Sequence, residues 1–249
     1  MIKTLPFALT AALTLGAHAQ PAASADATTW GLGVGVAAER KPYRDFDDEA
    51  RALPLLMLEN RWVSVLGPRA DLKLYTNETV SLRLRVAYHF DGYEADDSPY
   101  LQGMAERKAS LWAGGAVTVR TSLGLLSAEV LGDASNKSKG GRVKLGIERD
   151  FTTGDFTFTP HASAHWLDRK FVTYYYGVTA AEAAAGRAAY EGKSTANLEL
   201  GLRVAYAVTP RQSLQADVST TRLGAGIKDS PLVERATQTG LRVGYLYRF

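Results

Sequence analysis

Gly240-Leu241-Arg242-Val243-Gly244-Tyr245-Leu246-Tyr247-Arg248-Phe249 ends the chain and governs how the rest is read. Leu241, Val243, Tyr245, Tyr247 and Phe249 are apolar, three of them aromatic. The alternate positions are small or charged, with Leu246 the one exception. A side-chain period of two places these sets on opposite faces of a strand. One face suits hydrocarbon, with aromatics where a bilayer interface would lie, and the other suits water. Gly244, Tyr245, Tyr247 and the terminal Phe249 also resemble the signal by which outer-membrane barrels are recognised for assembly. An amphipathic strand of a soluble sandwich would show the same alternation, so the other strands must decide.

They favour a barrel. Val80, Leu82, Leu84, Val86, Tyr88 and Phe90 alternate with Ser81, Arg83, Arg85, Ala87 and His89. Two arginines facing a dry sandwich core would be prohibitive, whereas in a wet lumen they cost little. Phe156 to Trp166 alternates with Thr157, Thr159, His161, Ser163 and His165, and Leu198 to Val208 with Asn197, Glu199 and Arg203. Short turns near Ser122, Gly154 and Pro210 alternate with long loops near Glu94, Tyr176 and Ile227, the asymmetry of transmembrane barrels. A sheet in lipid cannot leave its edges open, so it must close. The pattern predicts an all-β transmembrane antiparallel barrel of about 12 strands, or 10 if Arg61–Leu66 and Asp71–Tyr75 merge with their neighbours. Either count is even and leaves both termini periplasmic. Glu39–Arg51 reads as a charged loop, and Pro54 as lying near the start of a strand.

The N-terminus fits export. Lys3, an apolar run from Leu5 to Leu15 and Ala17-His18-Ala19 predict a signal peptide over residues 1–19. Residues 20–249 are then the barrel domain, with 20–27 as a periplasmic stub. Loss of Lys3 lowers the formal net charge from +3 to +2, with acids and bases interspersed, so no nucleic-acid surface is expected. The absence of cysteine excludes disulfides, thiolate metal sites and a lipidated N-terminal cysteine.

The longest connection, Leu167 to Lys193, contains Tyr174-Tyr175-Tyr176-Gly177-Val178-Thr179 and then Gly186-Arg187 and Tyr190. Thr179-x-x-Glu182 is a capping box and Gly186 a helix-ending residue, which predicts a short helix between them in an extracellular loop. Tyr175, Tyr176, Arg187 and Tyr190 are the candidate partner-binding residues. The alternative is a compact loop whose tyrosines pack on the barrel rim.

This segment resembles the MltA-interacting protein (MipA)/OmpV family of outer-membrane proteins. Leu53-Pro54-Leu55 before Asn60-Arg61-Trp62, Asp91-Gly92-Tyr93, and Tyr247-Arg248-Phe249 agree with it. The chain departs from the family at Ala188, where proline is commoner, and in a less aromatic stretch after Arg61. The resemblance implies an outer-membrane scaffold without cofactor, inserted by the barrel assembly machinery and surrounded by outer-membrane lipid. It implies a murein transglycosylase and a penicillin-binding protein as partners. Adhesion through extracellular loops, or a narrow small-solute channel, is the alternative. No catalytic residues come with the resemblance.

The residues themselves argue against an enzyme. His161 and His165 share a face but lie roughly 13 Å apart at ~3.3 Å per residue, too far for one metal with bonds of about 2 Å. They are expected in a polar lumen network with Glu199 and Arg203. The lumen mixes Arg83, Arg85, Lys144, Arg203, Arg242 and Arg248 with Glu129, Glu148, Glu199 and Asp217, which predicts a channel filled by its own side chains.

Overall fold

The computed structural model describes residues 28–46 and 49–249; the leader and the stub lie outside the described residues. One thirteen-stranded antiparallel sheet forms the wall. Its strands are β1 Thr29–Arg40, β2 Glu49–Glu59, β3 Val63–Leu66, β4 Arg69–Thr76, β5 Val80–His89, β6 Ser110–Thr121 and β7 Gly124–Asp133. They continue as β8 Gly141–Glu148, β9 Phe151–Thr153, β10 Phe156–Leu167, β11 Thr195–Thr209, β12 Gln212–Arg222 and β13 Thr237–Arg248. β8 and β9 both pair with β10 and form two parts of one stave, so the barrel has twelve. β13 pairs with β1 from Gly31↔Arg248 to Arg40↔Thr239, which closes the sheet.

Burial runs opposite to that of a soluble sheet. In β5, Arg83 and Arg85 are 7% and 4% exposed, whereas Leu84 between them is 50% exposed. Leucine, valine and aromatic side chains face outward around the wall, including Trp30, Leu32, Leu145, Leu200, Val218 and Val243. That inside-out arrangement suits a barrel whose solvent is lipid.

Two features of the strands differ from expectation. Glu39 and Arg40 complete β1 and Glu49–Arg51 begin β2, because a lumen accepts charges within a strand. Pro54 sits in the middle of β2.

Connections at the two ends differ in length. Residues 60–62, 77–79, 122–123, 154–155 and 210–211 are tight turns at the end that carries both strand termini, the periplasmic end. At the other end, residues 41–48, 90–109, 134–140, 168–194 and 223–236 are longer, and only Gly67–Pro68 is tight. The main apolar clusters lie in these outer loops and the strand ends beneath them. One joins Trp112, Leu131, Phe171, Val172, Tyr175 and Ile227, the other Tyr43, Tyr93, Leu101, Met104, Val178 and Leu232. The loops thus form a packed cap over the mouth.

The loop helix is Arg169–Tyr176, earlier than the capping signal suggested. The Asp168 carboxylate accepts the Phe171 N–H at 2.8 Å as N-cap, and burial of Phe171, Val172 and Tyr175 offsets the weak helix propensity of the aromatic run. Residues 179–186 form turns instead: Glu182 keeps its local bonds to Thr179 but is shared with Arg107, which holds the segment against the 90–109 loop.

Candidate functional site: lumen, cap and periplasmic rim

Three charge clusters fill the lumen. Arg85 donates to both Asp71 oxygens at 2.7 Å and to Glu129 at 2.5 Å, with Arg83 3.7 Å from Asp71. This fork-to-fork geometry is the strong form of the Arg–carboxylate pair. Glu199 on β11 accepts from Lys144 at 3.3 Å and from the Ser163 hydroxyl at 3.0 Å, with His165 3.7 Å away. Asp217 on β12 faces His161 at 3.1 Å, Arg203 at 3.5 Å and Arg242 at 3.6 Å, and Arg203 also reaches Glu148 at 3.3 Å. In these clusters each acid meets a cation from another strand, so the side chains cross-brace the wall. His161 and His165 belong to separate clusters. Among the described residues, no group of three or more His, Asp or Glu is placed to hold a metal.

In the cap, Glu182 is the hub. Its carboxylate accepts the Ala105 N–H at 2.9 Å, the Thr179 N–H at 3.0 Å, the Thr179 hydroxyl at 2.9 Å and the Arg107 guanidinium at 2.9 Å. Burial alone would raise its pKa, but the Ala105 and Thr179 donors and Arg107 outweigh that and hold it down at about 2. Sequence reading noted Glu182 only as half of a capping box and missed Arg107, whose isolated position before β6 carries no local signal.

The four candidate loop residues come together inside the cap. Tyr175 is 1% exposed, and its hydroxyl donates to the Lys108 carbonyl at 3.1 Å. Tyr176 stacks on Tyr43 at 5.4 Å, and its carbonyl accepts the Ser230 hydroxyl at 2.6 Å. Arg187, 6% exposed, donates to the carbonyls of Tyr100, Gln102 and Glu182. The Tyr190 hydroxyl donates to the Gly226 carbonyl at 2.9 Å. Between them they tie the 168–194 loop to the 41–48, 90–109 and 223–236 loops. Burial pushes the phenols of Tyr43, Tyr175 and Tyr176 well up, and that of Tyr93 to about 12, so all stay neutral.

At the other end, Phe249 stacks on Trp30 with ring centroids 4.0 Å apart and meets Tyr247 edge-on at 5.0 Å. Tyr245 and Tyr247 face outward, and Gly244 faces inward opposite Gly35 and Gln215. The periplasmic turns expose Arg61, Trp62, Leu123 and Arg211, and Arg120 at the end of β6 and Arg149 between β8 and β9 are exposed as well. Arg61 stacks on Trp62 at 4.8 Å and Arg149 on Phe151 at 5.5 Å.

The chain is 27% identical to the MltA-interacting protein of Escherichia coli (strain K12) over 223 residues, 88% of this chain and 89% of that protein. It is 26% identical to the putative outer membrane protein YiaT of the same organism over 231 residues, 91% of this chain and 94% of that protein. Among solved structures it matches an outer membrane channel from Pseudomonas putida F1 at 14% identity and a TM-score of 0.45, covering 93% of this chain and 100% of that one. The family model described as MltA-interacting protein MipA matches residues 32–249. The chain therefore belongs to the MltA-interacting protein MipA family and is an integral β-barrel of the outer membrane.

Proposed function

We propose that the protein is an envelope scaffold that docks a murein-active enzyme on its periplasmic rim and brings a murein hydrolase together with a murein synthase. The observation that carries this reading is the rim itself. Exposed arginines ring one end of the barrel: Arg61 and Arg211 in turns, Arg120 at the end of β6 and Arg149 between β8 and β9, with Arg61 and Arg149 stacked on aromatic rings. Arginine and tryptophan are the residue types that dominate protein–protein hot spots. The other routes to function have less support: cross-braced charges fill the lumen, and a packed cap covers its mouth. The printed name of the E. coli relative, MltA-interacting protein, agrees with a murein transglycosylase as the first partner. A penicillin-binding synthase is the second.

Photoreactive residues placed singly at Arg211 and at exposed Ala185 test this in intact cells. Adducts to a murein-active enzyme at Arg211 alone support docking at the rim. Adducts at Ala185 alone, to surface saccharide or a foreign protein, overturn it in favour of adhesion. Silence at both sites, with discrete conductance steps from the purified barrel, overturns it in favour of a channel.

A further inference from the structure

The outward face of one sector breaks the pattern of the wall. Elsewhere at the extracellular end, outward positions include large apolar side chains: Tyr88 on β5, Leu111 on β6 and Trp166 on β10. On β12 and β13 they are Thr220, Arg222, Thr237 and Thr239, all exposed. The register makes them two adjoining pairs, Thr220↔Thr239 and Arg222↔Thr237. Side chains two apart on a strand share a face, so all four stand on the side that carries Val218 and Leu241. Paired positions lie ~5 Å apart and successive ones on a face ~7 Å apart, so one anion can be shared among all four.

The same register fixes the depth. Across the other edge of β12, Leu198 pairs with Arg222 and Leu200 with Thr220. These leucines are 59% and 62% exposed on the lipid side. Arg222 therefore stands in one row with a hydrocarbon-facing leucine, at the upper margin of the apolar band. A cation there is costly unless an anion meets it.

Among the described residues, no carboxylate pairs with Arg222, and the side-chain hydroxyls of Thr220, Thr237 and Thr239 make no hydrogen bond. Glu39, on the adjoining β1, belongs to the inner face, where it accepts from Gln238. Asp217 on β12 is likewise inward, beside His161 and Arg203. Arg40, paired with Thr239 across β13, adds a second outward cation, although it has an interaction of its own in the fold. An acidic protein would meet Arg222 only by entering the bilayer margin, whereas a lipid phosphate already lies there.

We propose that this sector binds a phosphorylated glycolipid of the outer leaflet. Arg222 and the three threonine hydroxyls take one phosphate, and the acyl chains lie on Leu198, Leu200, Val218 and Leu241. Native mass spectrometry of the full-length barrel, released from detergent with bisphosphorylated lipid A, tests it. One lipid A should stay bound per barrel, and its dephosphorylated form should bind about tenfold more weakly, as expected for losing a charge-assisted hydrogen bond. Arg222→Gln should weaken lipid A by the same factor and leave the dephosphorylated form unchanged. Thr239→Val should act in the same direction, and Lys139→Gln, exposed on the opposite side of the barrel, should have no effect. Equal retention of the two lipids by the wild type overturns the proposal, whether or not the variants fold. So does an equal loss in Lys139→Gln, which would reduce the effect to bulk charge. Displacement of lipid A by inorganic phosphate or phosphatidylglycerol at the same concentration overturns the assignment to a glycolipid. A photoreactive residue at Thr239 that captures a protein and no glycolipid in intact cells overturns it in favour of an acidic partner.

Discussion

Replacing Glu182 by alanine should open the cap and leave the barrel standing. The carboxylate is buried and accepts hydrogen bonds from Ala105, Thr179 and Arg107, so its loss strands a buried guanidinium as well as two backbone donors. Breaking a buried pair by removing one partner costs about 3–5 kcal/mol. At 1.4 kcal/mol per decade, even the lower figure is roughly a hundredfold in the local opening equilibrium. Amide hydrogen exchange at Ala105 and Thr179 should accelerate by at least that factor, while exchange in β11 and β12 stays unchanged. Arg107→Ala should resemble it, and the double variant should cost less than the sum of the two. Acid should reproduce the effect. The folded carboxyl sits at about 2 against an ordinary glutamate near 4.3, so its stabilisation is complete above that ordinary value and is lost as pH falls toward 2. Unchanged exchange at Ala105 in Glu182→Ala, or no acid-induced opening in the wild type, would refute the assignment of Glu182 as the tie between the two longest loops.

Arg85→Ala leaves Asp71 and Glu129 facing each other without their shared cation, and the barrel should lose about 3–5 kcal/mol in urea unfolding from lipid vesicles. Leu200→Arg puts a charge on an outward position in the middle of β11 and should cost about 2–4 kcal/mol in the same assay. No measurable cost would contradict contact with hydrocarbon there. Deleting Phe249 removes the ring stacked on Trp30, and should lower the amount of folded barrel recovered from outer membranes far more than it lowers the melting temperature of the fraction that folds. Equal loss of both would reduce the terminal residues to an ordinary packing contact.

The wall was largely legible from the sequence, and the cap was not. β5, β10, β11 and β13 announce themselves because lipid demands an unbroken apolar row while a wet lumen tolerates Arg83, Arg85, Glu199 or Arg203 opposite it. The same tolerance hid the ends of β1 and β2, where Glu39, Arg40 and Arg51 look like loop residues. β6 alternates poorly because Gly114, Gly115 and Ala116 lie in its middle, where size carries no clear facing signal. The loop helix was misplaced for a tertiary reason: Thr179 and Glu182 form their local hydrogen bonds, but Arg107, 75 residues away, takes the same carboxylate and holds the chain in turns. The real helix over Arg169–Tyr176 rests on contacts of Phe171 and Tyr175 with Trp112 and other residues remote in sequence. The lumen pairs were legible as a mixed-sign set, but who meets whom depends on register and on barrel curvature.

The β1–β13 seam also sets a timetable. Gly31 finds its partner Arg248 only after the whole domain has been synthesised. Until then both edges of a nascent sheet are exposed, and no shorter fragment can become a cylinder. Ring closure at such sequence separation is slow, since chain entropy must be lost before the contacts form. Export must therefore outrun folding, and the last step of the chain's journey is also the first moment at which it has no edges.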